Sequence, residues 1–538
     1  MAFTDKQLAL QQLIEKIKER NGKPVNINVV YASIEALGIR DIDTAEDYGF
    51  ESIEHLSNYI FNTLDTPQLN YLKNKKQQEA DDEYSRSIAV SDYMHVKSKL
   101  FLKNYSTGLF HLTPIFFQVI SIIFFGFSLW TYNGFNDLQS TAVVLGVIIG
   151  LVITGGFVQS MGKQVSFYWY NKDFAMALKS SNALFKNGTF GLIFFFVLIL
   201  GLNVVFDFYP YKFLVIVFIY ALLIGTLLLA LSPLYTIKRR YVISVTVLSG
   251  TIVALALFFF TDSHIYFTHW TGILVCTISS YIYSNWFLKR ASQNNKSFSN
   301  SEPRYMLFVY RNLDYFIYGF LIYAFVFTDR IIAWSSTLNR DLPYIVYYEK
   351  DYEIGMDLAM LVFFLMAGVL EYSVHSFSRD LEQKQKTTLF SDISVFNSHM
   401  VEMYKKHIRL FFLSALVIAV LLVSFITQPW GYSAGFDEQV SLISTKVCLI
   451  GSFGYLFLSL GMLNVLYLYT LNQHRKPIWP IASALVLNII VGVVLSRTIG
   501  YEYSAVGMLV GSFLFMSITS LMTLKFFKKM DYYYYAAY

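Results

Sequence analysis

The sequence predicts an all-α polytopic membrane protein, with about twelve transmembrane helices as two six-helix repeats and a small N-terminal helical cytoplasmic domain. Three observations predict it. Hydrophobic residues make up 55% of the 538 residues and charged residues only 15%, where soluble chains carry about 25% charged residues. Twelve apolar runs are long enough to cross a bilayer core, which takes about 20 residues as a helix. Lys and Arg gather in alternate connections between those runs. The same composition excludes a string of soluble domains, a disordered chain and a disulfide-built scaffold. The two cysteines, Cys276 and Cys448, both lie in apolar runs.

Four segments follow: a head and linker (1–105), a first membrane half (106–290), a linker (291–307) and a second membrane half (308–538). Residues 1–100 hold 12 Lys/Arg against 16 Asp/Glu, a net of −4, and the remainder carries +9. In the head, Thr4 and Gln7 predict a capping box for a helix through Arg20, stopped by Gly22-Lys23-Pro24. A second helix is expected over 27–37, closed by Gly38, and a third from Thr44 to about Leu64. Asp81-Asp82-Glu83 reads as an exposed linker, and Ser91 as the cap of a helix entering the first span. The head has no phosphate loop and no metal-ligand spacing, and its negative charge argues against nucleic acid.

The spans are expected near 113–132, 141–162, 187–206, 212–232, 242–260, 265–288, 308–334, 355–377, 408–427, 440–470, 478–496 and 503–525. Basic clusters such as Lys238-Arg239-Arg240, Lys289-Arg290 and Lys525 to Lys529 fall between or beyond alternate spans. Loops 133–140, 261–264 and 428–439 hold no Lys or Arg. Lys and Arg are retained on the cytoplasmic side, so both termini are expected there, in a multi-pass protein of the cell inner membrane surrounded by its lipids. Arg340, Lys350 and Arg497 are the exceptions. Leu234-Tyr235-Thr236-Ile237 and Leu468-Tyr469-Thr470-Leu471 stand 234 residues apart, each followed by a basic pair, two spans and a further basic cluster. Parallel six-helix repeats with a cavity between the halves are a recurrent transporter plan.

Charged and strongly polar groups within spans cost roughly 2.5–3.5 kcal/mol or more each, which makes them candidates for a substrate pathway or ion coupling. Span seven carries Asn312 and Asp314 near its inner end and Asp329 and Arg330 near its outer end. Span eight carries Glu371, His375 and Arg379 at i, i+4 and i+8 on one face. A carboxylate beside an imidazole can exchange protons, and the same spacing equally serves a packing ladder. Tyr315, Tyr318 and Tyr323 could stack on sugar rings. No Gly-rich nucleotide cradle is present, and the largest outer loop, about 335–354, is too short for polymer chemistry. No enzymatic activity, metal or cofactor is expected.

Twelve spans as six plus six, with a basic loop after span four repeated after span ten, resemble the MOP flippases (multidrug, oligosaccharidyl-lipid and polysaccharide exporters). Leu471 to Pro477, Asn488, Ala505-Val506-Gly507 and Met530-Asp531-Tyr532-Tyr533 carry that resemblance. Within the superfamily the chain is most similar to the Pel-type exopolysaccharide exporter family, through Thr328-Asp329-Arg330-Ile331-Ile332-Ala333-Trp334 and Tyr352-Glu353-Ile354-Gly355-Met356-Asp357-Leu358-Ala359. The resemblance covers about residues 105–538. It implies outward movement of a polysaccharide or lipid-linked glycan by alternating access. The head then reads either as a docking module for a glycan-synthesis partner or as an accessory extension. A multidrug or lipid exporter of the same fold, and a non-transporting scaffold of a glycan-synthesis complex, remain open.

Overall fold

The computed structural model describes residues 2–21, 27–65, 101–102, 105–106, 108–294, 305–336, 345–387, 393–436 and 438–537. The chain divides into two compact units, residues 1–99 and 100–538.

In the first unit, α1 (Ala2–Asn21), α2 (Ile27–Ala36) and α3 (Ile53–Asp65) surround one small core. Each helix contributes an i, i+4 pair to it: Leu13 and Ile17, Val30 and Ile34, Leu56 and Ile60. Three narrow apolar stripes are enough to close a bundle this small. Two local expectations are corrected. α1 begins at Ala2, so Thr4 and Gln7 lie inside the helix and not at its cap. The stretch from Thr44 is not one helix: Thr44–Tyr48 forms a π turn, and Gly49 at φ 76° ends it. The chain restarts at α3, where the Asp41 carboxylate accepts from the Ile53 backbone N–H at 2.7 Å. That bond satisfies an otherwise orphaned helix N-terminus. Asp81-Asp82-Glu83 and Ser91 lie outside the described residues.

Among the described residues the second unit has a helix at each of the twelve expected positions. They are α4 (Thr113–Phe125), α5 (Asp137–Tyr170), α6 (Phe174–Phe206), α7 (Tyr211–Thr236), α8 (Arg240–Phe260), α9 (Ile265–Asn294), α10 (Tyr305–Trp334), α11 (Lys350–Thr387), α12 (Ile393–Thr427), α13 (Leu442–Thr470), α14 (Ile478–Thr498) and α15 (Ser504–Phe527). A short helix, α16 (Met530–Ala537), follows. Ten of the described helices are long and apolar enough to cross a membrane, and α4 is a shorter apolar helix. The chain is a multi-pass membrane protein. Successive spans alternate in direction, so the Lys/Arg-bearing connections share one side, called the basic side below.

The first span falls short of its expected end at residue 132. Gly126, at φ 64°, closes α4, and Asn133 N–H donates to the Gly126 carbonyl at 2.9 Å. The chain then doubles back through a bridge between Phe127 and Tyr132. Phe127 and Leu129 are buried in this turn, so an apolar run continues where the helix has stopped. α11 and α12 err the other way. At 38 and 35 residues they are about 57 and 52 Å long, against a hydrocarbon core of about 30 Å. Both overrun their apolar stretches on the basic side.

The internal repeat is visible at the level of single bonds. α7 ends with Arg239 N–H bonded to the Leu234 carbonyl at 3.0 Å, and α13 ends with Gln473 N–H bonded to the Leu468 carbonyl at 2.9 Å. Between them Lys238 and Asn472, 234 positions apart, adopt φ 57° and 59°. Both turns need a left-handed residue after the helix, and neither uses glycine. Helix pairing repeats as well. In the first half α5 packs on α7, α7 on α9, α8 on α9, α5 on α6 and α4 on α8. In the second half the same pairings recur as α11–α13, α13–α15, α14–α15, α11–α12 and α10–α14. Each half encloses its own apolar core.

Two glycine crossings join the halves. α5 meets α10 where a Cβ on Gly156 would stand 2.7 Å from the Phe316 carbonyl, and one on Gly155 2.9 Å from the Gly319 carbonyl. At the symmetry-related crossing, a Cβ on Gly108 would stand 2.7 Å from the Gly368 Cα. Small residues let the backbones approach this closely in lipid, where apolar burial gives no net drive for helix association. Gly319→Val is expected to destabilise the purified protein by about 1–3 kcal/mol through overpacking. Gly201→Ala, with open space around it, should stabilise by up to about 1 kcal/mol. Thermal unfolding followed by intrinsic fluorescence checks both, and equal midpoints would remove the crossing as a constraint.

Candidate functional site

The charged groups of the second half meet between the end of α10 and the start of α11. Asp329 and Arg330 are 0% and 4% exposed. Consecutive positions on a helix point about 100° apart, and the two side chains find different partners. Asp329 accepts from the Tyr352 hydroxyl at 2.7 Å. The Arg330 guanidinium bonds Glu353 through Nη1 and Asp357 through Nη2, the latter at 2.9 Å. Glu353 and Asp357 are one turn apart on α11, which lets a single planar fork bridge them. Trp334, Tyr348 and Tyr455 enclose the cluster, all three largely or wholly buried.

This site has one fixed positive charge and three carboxylates. With all ionised it carries a net of −2 in a region of low dielectric, a cost that only bound protons or a cation relieve. The structure also leaves bonding capacity unused: Asp329 Oδ1, Glu353 Oε1, Arg330 Nε and the Tyr455 hydroxyl are buried without hydrogen-bond partners. Asp357 is 68% exposed although its partner is buried. A carboxylate on a span cannot rest in lipid, so this face of α11 opens to water. Among the described residues no group of three His, Cys, Asp or Glu side chains could hold a metal ion, and the guanidinium fills the centre of the cluster. The first half has no counterpart: none of its described Asp or Glu residues is buried, and its buried polar pairs, such as Tyr220 with His269 at 2.8 Å and Gln118 with Thr251 at 2.8 Å, include no carboxylate.

The other expected residues do not join this cluster. Glu371 lies 18 positions beyond Glu353 on α11, about 27 Å away along the axis. Its partner is Arg240 of the first half, at 2.6 Å. His375 and Arg379 share its helical face as expected but are exposed, so the predicted carboxylate–imidazole pair is replaced by an ion pair between the halves. Asn312 is buried and accepts from Gln164 of α5 at 2.7 Å. Asp314 sits at the basic end of α10 against His474, at 3.1 Å, and Arg475, at 2.9 Å. Glu371 and Asn312 thus tie the halves together near the basic side. Tyr315 and Tyr318 are buried against Tyr469, and Tyr323 covers Gly155. Their rings pack on protein and present no open stacking face. Two of the exceptional basic residues have local partners: Lys350 pairs with Glu438 at 3.0 Å, and Arg497 donates to the Ile332 carbonyl at 3.3 Å and to Ser335 Oγ at 2.8 Å.

Tyr352, Glu353 and Asp357 were missed as site residues. Their signal was present: two carboxylates at i, i+4 opening a span, 23 and 27 positions after a buried arginine. Arg330→Met should lower stability by about 3–5 kcal/mol, because three carboxylates lose their counter-charge. Adding Glu353→Gln should recover part of the loss, since the two groups are in contact. Thermal unfolding of the single and double variants checks this, and strict additivity would contradict the geometry.

No family model matches the sequence, and no curated protein matches it either. Solved structures do. A Vibrio cholerae MATE transporter, VcmN in its bent form, aligns at TM-score 0.53 and 14% identity over 81% of this chain and 98% of that one. A MATE transporter in a bent conformation aligns at 0.54 and 10% identity, over 81% and 97%. An outward-facing multidrug resistance MATE family transporter of the MOP superfamily aligns at 0.53 and 11%, over 81% and 96%. The membrane body of this chain therefore has the two-lobed, twelve-helix fold of the MATE transporters of the MOP superfamily.

Proposed function

We propose that the protein is a proton-coupled exporter that moves a polysaccharide or lipid-linked glycan outward across the inner membrane by alternating access. The observation that carries the reading is the carboxylate-rich cluster around Arg330, confined to one half of a two-lobed transporter fold. Protonation of Glu353 releases the guanidinium from one partner, and deprotonation restores it. One packing arrangement is thereby exchanged for another, as a two-state carrier requires. The glycan substrate rests on the Pel-type resemblance of residues 328–334 and 352–359. The basic side is read as cytoplasmic on the Lys/Arg distribution, with both termini there.

The head, residues 1–105, is proposed to dock a glycan-synthesis partner. Deleting residues 1–90 should reduce export in cells while transport by the purified body persists. Loss of both would point to a role in assembly. A multidrug exporter is the second reading, favoured by the multidrug resistance transporters that share the fold.

Secreted polysaccharide from cells carrying each variant, normalised to membrane protein level, tests the main proposal. Glu353→Gln and Asp329→Asn should reduce export at least about 10-fold, the scale of about 1.4 kcal/mol lost from coupling. Glu371→Gln should also lower export, by weakening the tie between the halves, with the protein still inserted. Normal export in Glu353→Gln would sink the coupling role. Unchanged polysaccharide with altered sensitivity to cationic drugs would favour the second reading.

A further inference from the structure

We propose that residues 345–353 form a strap that holds the side opposite the basic one closed, and that the charge cluster controls its release. The inference rests on the reading of that cluster as the coupling site.

The strap has two ends with different attachments. At one end it is bonded to the first half. Val346 N–H donates to the Tyr209 hydroxyl at 3.0 Å, and that hydroxyl donates in turn to the Val346 carbonyl at 3.2 Å. Tyr348 N–H donates to Thr141 Oγ1 at 3.1 Å. Tyr209 precedes α7 and Thr141 lies in the first turns of α5, so both anchors belong to the first half, away from the basic side. At the other end the strap becomes the first turn of α11, where Tyr352 and Glu353 engage Asp329 and Arg330. Between the ends the strap is fixed to α10: Tyr347 N–H donates to the Trp334 carbonyl at 3.1 Å, and the Trp334 and Tyr348 rings lie 5.5 Å apart. No more than five residues separate Tyr348, bonded to the first half, from Glu353 in the cluster.

The two sides of the molecule are held differently. Near the basic side the halves meet through backbone crossings at glycine, reinforced by Arg240–Glu371 and Gln164–Asn312. On the opposite side the strap supplies peptide hydrogen bonds to two hydroxyls. Such bonds break at little cost when water can replace them. When Glu353 takes up a proton, its bond to Arg330 loses its charge, so the first turn of α11 gives up its ion pair to α10 while keeping Tyr352–Asp329, Lys350–Glu438 and the bonds that Ser441 and Ser444 of α13 donate to Asp351. The groups facing Glu353 are Arg330, Asp329 and Trp334 on α10, Tyr352 and Asp357 on α11, and Tyr348 in the strap itself. A shift of that turn pulls Tyr348 and Val346 from their hydroxyl partners and opens the cleft.

The test reads opening and not transport. Ile148, 5% exposed and packed into the second half's core from α5, is replaced by cysteine in the full chain in nanodiscs. A membrane-impermeant maleimide then reports access, with the buried Cys276 and Cys448 giving the background in the parent protein. Tyr209→Phe, which keeps the ring stacked on Phe213 at 4.9 Å, should raise the labelling rate about 5- to 30-fold through the bonds lost. Glu353→Gln should raise it comparably. The two together should give less than the product of the separate effects. A rise in Tyr209→Phe alone would separate strap from cluster and overturn the proposal. No rise in either variant, with unchanged size-exclusion profiles, would show that the strap does not close the cleft. Either outcome is independent of whether glycan is exported.

Discussion

One guanidinium among three carboxylates, placed in the apolar half of a membrane protein, constrains the second lobe. Arg330 cannot leave its position without exposing Asp329, Glu353 and Asp357 to one another, and it cannot neutralise all three. The surrounding structure answers both facts. Tyr352 donates to the carboxylate that the fork does not reach. Water reaches Asp357 but not Glu353. The partner helices α10 and α11 are joined there by the two arms of one guanidinium and by Tyr352–Asp329.

The rest of the body places that constraint where movement is possible. Two halves built on the same pairing scheme each have a core of their own, with Ile148 of α5 reaching across into the second. The contacts between them centre on the α5–α10 pair and combine backbone crossings at glycine, apolar packing such as Ile148 in the second half's core and Phe157 against Phe316, and isolated polar pairs. The left-handed turns at Lys238 and Asn472 show how closely the scheme is repeated. The chemistry, however, is not repeated. The first half has buried pairs such as Tyr220–His269 and no buried carboxylate among its described residues.

Most of the fold was legible in the sequence, because a span announces itself by composition and a basic loop by charge. The errors fall where those signals stop discriminating. The run 113–132 is apolar throughout, and only the conformation at Gly126 distinguishes helix from buried turn. The polar ends of α11 and α12 carry no apolar signal, so their true lengths were invisible. The candidate site was half legible. Asp329 and Arg330 stood out as charges in a span, but their partners lie on another helix, and one sequence does not encode distance across helices. Glu371 and His375 illustrate the same limit from the other side. Helical spacing placed them on one face, yet a closer cation, Arg240, came from 131 positions away in the chain.

The length of α11 gives the charge cluster a reach that the membrane alone would not suggest. From Glu353 to Glu382 the helix is one rod of about 43 Å, and its far end, which continues to Thr387, stands beyond the apolar region on the basic side. A tilt of about 10° at the cluster displaces that end by about 8 Å, the width of a helix contact. A tilt at the charge cluster near one face of the membrane would therefore emerge as a mechanical displacement beyond the other.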